Sequence, residues 1–191
     1  NYSISKLILN GPEDQLQLTQ NKQPSILTVS FSIFKVLKEE FNFDFNTFNY
    51  FAGHSLGEYS ALVCSESLKF EDALYLLYER GKAMQEAVPV GKGSMLAILG
   101  AKIKDIYDLL NLFKEKGVCE IANDNADGQV VISGDAKAIE NAIHIAKNNG
   151  VKRAILLPVS APFHCRLMEP ARVIMEEALN NLKFDVPSIP I

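Results

Sequence analysis

Cysteine is scarce in this chain: there are three, Cys64, Cys119 and Cys165. Their odd number, wide separation and lack of any Cys-x-x-Cys pair argue against a disulfide framework or a structural zinc site, and favour a reducing compartment. Clusters of basic charge are also missing. The 19 Lys and Arg are outnumbered by 23 Asp and Glu, for a net charge of -4. Such a chain offers no general field for a phosphate backbone, so nucleic acid is not an expected partner. No stretch reaches the roughly 18 apolar residues of a membrane helix, and the opening "NYSISKLILNGPEDQ" lacks the charged-then-apolar order of a signal peptide. A membrane is therefore not expected, and the cytoplasm is the expected location. Internal repeats, low-complexity tracts, flexible linkers and metal-ligand spacings are absent too, so neither a metal nor a bound cofactor is expected. What remains is 191 residues, 48% hydrophobic and 22% charged. That suits one large domain, or one carrying a smaller insert. The closing "DVPSIPI" reads as the start of a strand, and the chain reads as a fragment truncated at both ends.

Apolar spacing supplies the elements. In "QPSILTVSFSIFKVLKEEF" (residues 23–41), Ile26, Val29, Ile33, Leu37 and Phe41 recur at intervals of three and four, predicting a helix with one buried face and Pro24 in its first turn. The aromatic "FNTFNYFA" suits a strand. The run "LGEYSALVCSESL" then returns to helical spacing, giving the order strand, sharp turn, helix. "FEDALYLLYERGKAMQEAV" predicts a helix burying Ala73, Leu76, Leu77 and Met84, with Arg80 on the same face. From Gly93 the units shorten. "GSMLAILG", "VCEIAN", "QVVISG" and "VKRAILLPVS" read as strands. "IKDIYDLLNLFKEKG" and "DAKAIENAIHIAKNNG" read as helices, the second N-capped by Asp135 with Gly150 past its end. The order βαββαβ is the split-βαβ, ferredoxin-like arrangement. It is expected over residues 93–159, inserted into a larger α/β body over 1–92 and 160–191.

The chemistry centres on "FAGHSLGEYSALV" (51–63), where Gly-x-Ser-x-Gly falls between strand-like and helix-like runs. A serine on such a turn has its hydroxyl pushed outward, and the first helical N–H groups face the same place, ready for an oxyanion. Ser55 is thus either a nucleophile or a small polar residue in a tight turn. A nucleophile needs a base. His54 is its immediate neighbour and suits a hydrogen-bonding role in the turn. His144 lies on the solvent side of its helix, opposite Ile139, Ala142, Ile143 and Ala146. His164, in "LLPVSAPFHCRLMEPA", sits after a strand end between prolines, where catalytic groups are often carried. Arg80 on an apolar face needs an anion, because burying a guanidinium alone is costly. An internal carboxylate and a substrate carboxylate are equally good candidates. "VGKGSML" fails as a phosphate loop, since glycine follows Lys92 and Glu86 replaces the leading glycine. Cys165 beside His164 reads as a small packed cysteine.

Four blocks in order, "GHSLGEYSAL", "RGKAMQEAVP", "NDNADGQVVISG" and "LPVSAPFHCRLMEPA", resemble the malonyl-CoA:acyl-carrier-protein transacylase family over nearly the whole chain. The resemblance implies an α/β-hydrolase-like parallel-sheet body with a ferredoxin-like insert. It implies Ser55 as the acyl-accepting nucleophile, His164 as its base, and Leu56 as an oxyanion N–H donor. Arg80 would bind the malonyl carboxylate, with Phe163 and His54 also contacting substrate; Phe163 resembles the malonyl-selecting form. The implied partners are malonyl-CoA and phosphopantetheinylated acyl carrier protein, with a monomer expected. An organelle stroma or lumen replaces the cytoplasm if the source is a eukaryote with type II fatty acid synthesis. The family's opening Gly-Gln-Gly-Ser-Gln loop, which supplies a second oxyanion N–H, is not among these residues. Nor is the C-terminal stretch whose carbonyl orients the histidine. Two other readings stand beside this one. A serine esterase or thioesterase would need an acid such as Asp124, Asp127 or Asp135. A non-catalytic carrier-docking module would need none.

Overall fold

The computed structural model describes residues 3–111, 117–148, 151 and 153–191. In chain order the elements are α1 (Ile4–Asn10), α2 (Glu13–Gln17), α3 (Thr19–Glu39), α4 (Leu56–Cys64), α5 (Phe70–Ala87), β1 (Gly93–Leu99), α6 (Ile103–Asn111), β2 (Cys119–Ala126), β3 (Gln129–Asp135), α7 (Ala136–Asn148), β4 (Arg153–Leu156) and α8 (Glu169–Asn180). The chain divides into two compact units, Asn1–Lys82 with Ile174–Ile191, and Ala83–Val173.

The first unit is helical. Its core joins Leu27 of α3, Val63 of α4, Ala73, Leu76 and Leu77 of α5, and Met175 of α8, with Leu68 between α4 and α5. The three α5 positions were expected from spacing and are fully buried. Helix α3 departs from expectation twice. It starts at Thr19, so Pro24 falls in its second turn. Its predicted stripe is also turned outward: Ile26 is 45% and Ile33 57% exposed, while Leu27 is fully buried. The helix carries apolar residues on two faces, so periodicity alone does not choose between them. The Leu27 side is selected because Phe31 stacks on Phe70 with ring centroids 4.9 Å apart.

Residues 45–52 were expected as a strand. Instead a short 3-10 turn occupies Phe45–Thr47 and the rest of the segment runs without a ladder. The aromatic residues that suggested a strand pack together instead, Phe45 lying 4.3 Å from Phe34 and 5.0 Å from Phe43 between ring centroids. One backbone bond, Phe51 N–H to the Pro190 carbonyl at 2.8 Å, ties this segment to the C-terminal residues of the same unit. Proline has no N–H to return.

The second unit contains the predicted βαββαβ order. Its sheet runs β2-β3-β1-β4 with every pair antiparallel, the split-βαβ topology. Leu96 and Ile98 of β1 and Val130 and Ile132 of β3 point to one face. There they bury Ile106 and Leu109 of α6 and Ile139, Ala142 and Ala146 of α7. His144 is exposed, as expected. Asp135 closes β3, and the side chain expected to cap α7 accepts the Val118 N–H, just before β2, on Oδ2 at 2.6 Å. Gly150 and the end of the helix expected beyond Asn111 lie outside the described residues. Among those residues the sheet is this antiparallel one, and the expected parallel sheet is not part of it: residues 45–52, its nearest candidate, form a 3-10 turn and a bond to Pro190 rather than a ladder. The fold is mixed α/β.

Candidate active site

Ser55 is the N-terminal cap of α4 and has φ 55° and ψ -111°. A non-glycine residue in that region is strained, and such strain gathers where a side chain must be aimed. The turn depends on Gly53. A Cβ there would lie 1.9 Å from the Gly57 carbonyl carbon, backbone that no side-chain rotation can move. Gly57 differs, since a Cβ added to it would meet nothing within 4 Å. Thus one of the two glycines expected to keep side chains away from the turn is sterically required. The Gly57 N–H bonds the His54 carbonyl at 2.9 Å and the Glu58 N–H bonds the Ser55 carbonyl at 3.1 Å. Among the described residues the Leu56 N–H, at the first helical position, has no such bond. His54 itself is exposed.

Arg80 reaches this turn from α5. Its Nη2 donates to Ser55 Oγ at 3.0 Å and its Nη1 to Gln23 Oε1 at 2.6 Å. Its guanidinium carbon lies 5.9 Å from the centre of the Tyr59 ring. Gly81 permits the approach, because a Cβ there would fall 2.4 Å from Gln20 Cα at the start of α3. Gln23 is buried and its Nε2 donates to Thr19 Oγ1 at 3.0 Å, which fixes the face of the amide that Arg80 meets. Burial lowers the Arg80 pKa, with the Tyr59 hydroxyl and Glu58 acting the other way. Burial also pushes the Tyr59 hydroxyl up, opposed by the Arg80 charge. An arginine remains protonated under such a shift. The Ser55 oxygen therefore accepts from a cation, an arrangement that favours its anionic form and leaves its O–H to be given elsewhere.

His164 and Phe163 belong to the second unit. His164 is exposed and has φ 60°, again a left-handed residue without glycine's freedom. Phe163 is half-buried against Ala83, Met84, Val88, Ala161, Met168 and Ala171. The Cys165 thiol donates to the Pro162 carbonyl at 3.2 Å, and burial raises its pKa, as befits a packed thiol and not a thiolate.

The acyl transferase domain profile matches residues 1–191. The chain belongs to that family. The chain is 44% identical to the malonyl CoA-acyl carrier protein transacylase of Bacillus subtilis over 189 residues, covering 98% of the chain and 58% of that protein. The malonyl CoA-acyl carrier protein transacylase structure from Coxiella burnetii superposes with a TM-score of 0.94 at 40% identity, over 99% of this chain and 59% of that one. A structure of a type II PKS acyl-carrier protein in complex with its malonyl-transacylase superposes at 0.93, also at 40% identity, covering 99% and 60%. The chain thus spans about three fifths of the length of the relatives it matches.

Around Ser55, sequence reasoning missed Gln23 and Tyr59. The signal for Gln23 was a large amide one turn after Thr19 on the side of α3 that packs inward. Of the three acids an esterase could use, Asp124 and Asp127 are exposed, while Asp135 binds the Val118 N–H. Among the described residues no group of three or more His, Cys, Asp or Glu could hold a metal ion, and no helix is long and apolar enough to cross a membrane.

Proposed function

We propose that this chain carries the acyl-transfer site of a malonyl-CoA:acyl-carrier-protein transacylase. The observation that carries the reading is Arg80: a guanidinium hydrogen-bonded to neutral acceptors, with one nitrogen already on Ser55 Oγ. Among the described residues its hydrogen-bond partners leave the charge unneutralised, so it is available to a substrate carboxylate, and bidentate geometry suits that task. In the first transfer His164 takes the Ser55 proton as Oγ attacks the malonyl thioester carbon. The tetrahedral oxyanion faces the Leu56 N–H, and collapse expels the coenzyme A thiolate, which receives the proton from the imidazole. In the second, His164 deprotonates the phosphopantetheine thiol of acyl carrier protein; its sulfur attacks the malonyl ester and Ser55 regains the proton. Arg80 exchanges Ser55 Oγ for the malonate carboxylate and orients the ester, with Phe163 and His54 bordering the acyl group.

The proposal includes an α/β-hydrolase-like body over residues 1–92 and 160–191 with the ferredoxin-like unit inserted over 93–159. It also includes a cytoplasmic monomer acting in fatty acid synthesis without a bound cofactor. The test is incubation of the full chain with malonyl-CoA followed by peptide mass mapping. A malonyl adduct on Ser55, discharged by carrier protein and absent from Ser55→Ala, is expected. An adduct that survives Ser55→Ala would overturn the reading, and rapid release of free malonate without carrier would turn it into a hydrolase.

A further inference from the structure

The loop that bears His164 is tied down on both sides within its own unit. Before the histidine, Pro162 is fully buried and wedged on Gly93, where an added Cβ would fall 2.2 Å from the proline Cγ. The Phe163 N–H reaches the Ala161 carbonyl at 3.1 Å and the Cys165 thiol reaches the Pro162 carbonyl at 3.2 Å. After the histidine, a 3-10 turn covers Arg166–Met168, closed by the Met168 N–H on the Cys165 carbonyl at 2.9 Å. A further tie comes from 46 residues away. Glu120 of β2 accepts the Arg166 backbone N–H on Oε2 at 2.8 Å and the Arg166 Nε on Oε1. Both oxygens of one carboxylate are thus spent on a single residue, two positions after a histidine held at φ 60°.

We propose that Glu120 is a positioning residue for His164: its carboxylate clamps the backbone that follows the histidine and keeps the imidazole in the orientation the left-handed conformation imposes. This rests on the reading of His164 as the base. A left-handed non-glycine residue persists only where its surroundings over-determine it, and a carboxylate on a backbone N–H is a charge-assisted bond that gives such a determination. The guanidinium adds less. Its side chain is 70% exposed, and ion pairs in that setting contribute little. The clamp is therefore the bond to the peptide N–H, and the Arg166 side chain helps aim the carboxylate.

Substitutions separate the two. Glu120→Ala removes both bonds. Glu120→Gln keeps a carbonyl oxygen for the N–H. Arg166→Ala keeps the N–H and loses the guanidinium. Arg166→Pro removes the N–H itself, at a position where proline is tolerated, since it opens a helical turn and Cys165 before it is already extended at φ -130° and ψ 173°. The readouts, on the full chain, are the single-turnover rate of Ser55 acylation by malonyl-CoA, the KM for malonyl-CoA, and amide hydrogen exchange across residues 163–168. Glu120→Ala and Arg166→Pro are each expected to slow acylation about tenfold, the scale of a displaced catalytic group, with faster exchange in the loop and KM held within about twofold. The double variant should be no slower than either single one, because both remove the same bond. Arg166→Ala should stay close to the wild-type rate, and Glu120→Gln, which keeps an acceptor and loses its charge, should fall between wild type and Glu120→Ala. Wild-type acylation or unchanged loop exchange in Glu120→Ala overturns the proposal, as does a loss that appears only in KM or an equal loss in Glu120→Gln. If the wild-type chain itself forms no Ser55 adduct, the functional reading fails, and the exchange comparison still decides whether Glu120 clamps the loop.

Discussion

Arg80 and Gln23 divide one task between charge and placement. The amide of Gln23 can accept from the guanidinium without neutralising it, and its own N–H is fixed on Thr19. A carboxylate in its place would satisfy the hydrogen bond and remove the free charge. Both Arg80→Ala and Gln23→Glu should therefore lower malonyl transfer far more than acetyl transfer, the first because the cation is gone and the second because it is already paired. Truncating one side of a desolvated charge pair costs roughly 2–4 kcal/mol, which at about 1.4 kcal/mol per decade is a loss of roughly 30- to 1000-fold. Measuring acylation rates with malonyl-CoA and acetyl-CoA side by side checks this. An equal fall for both substrates would make Arg80 a structural residue. The sequence made Arg80 visible because a cation on an apolar helix face demands an explanation. It did not make Gln23 visible, because a polar residue before a proline reads as the beginning of a helix, and its partner lies 57 residues away.

Among the elements, the strand-poor turn at Ser55 is set by one close backbone approach. Gly53→Ala would drive a methyl group into the Gly57 carbonyl at 1.9 Å, an overlap of backbone that only a shift of α4 can relieve. The expected result is loss of acylation together with a lower melting temperature, of the 1–3 kcal/mol scale seen for overpacking. Gly57→Ala, facing open space on a helix, should keep the melting temperature of the wild type. Equal melting temperatures for the two variants would show that the turn is not held by this contact. Legibility followed the same logic of local against distant determinants. The βαββαβ unit could be read because its strands are short apolar runs bounded by turn residues, each helix has one clear apolar face, and the turn at Asp127 and Gly128 separates β2 from β3. Helix α3 could not be oriented, since both of its sides are apolar and Phe70 on another helix decides. Residues 45–52 could not be placed either: their aromatic content fits a strand, yet their long-range backbone bond is made to Pro190, near the far end of the chain.

At the scale of the whole molecule, the cysteines report on each unit separately. Burial pushes the Cys64 thiol up to about 11 and the Cys119 thiol up to about 12, from an ordinary 9.0. Cys64 ends α4 in the first unit and Cys119 opens β2 in the second. Both folded-state values are raised, so in the native protein these thiols keep their protons after the unfolded chain has lost its own. Unfolding then releases protons, and stability, fully present below about pH 9, falls as pH rises through about 11 for Cys64 and about 12 for Cys119. The Tyr59 hydroxyl, also raised by burial, adds to the fall above its ordinary 10.0. A fully buried thiol would contribute a slope of about 1.4 kcal/mol per pH unit; these are half-buried, and solvent screening reduces it. Urea denaturation midpoints at about pH 7.5 and about pH 9.5 measure the effect, with linear extrapolation giving the free energies. The wild type should lose more stability across that interval than Cys64→Ala or Cys119→Ala, and the double variant least of all. Parallel losses in all four proteins would assign the alkaline sensitivity to other groups. The same thiols, protonated at neutral pH, should react with iodoacetamide far more slowly in the folded chain than in urea, because the thiolate is the reacting form.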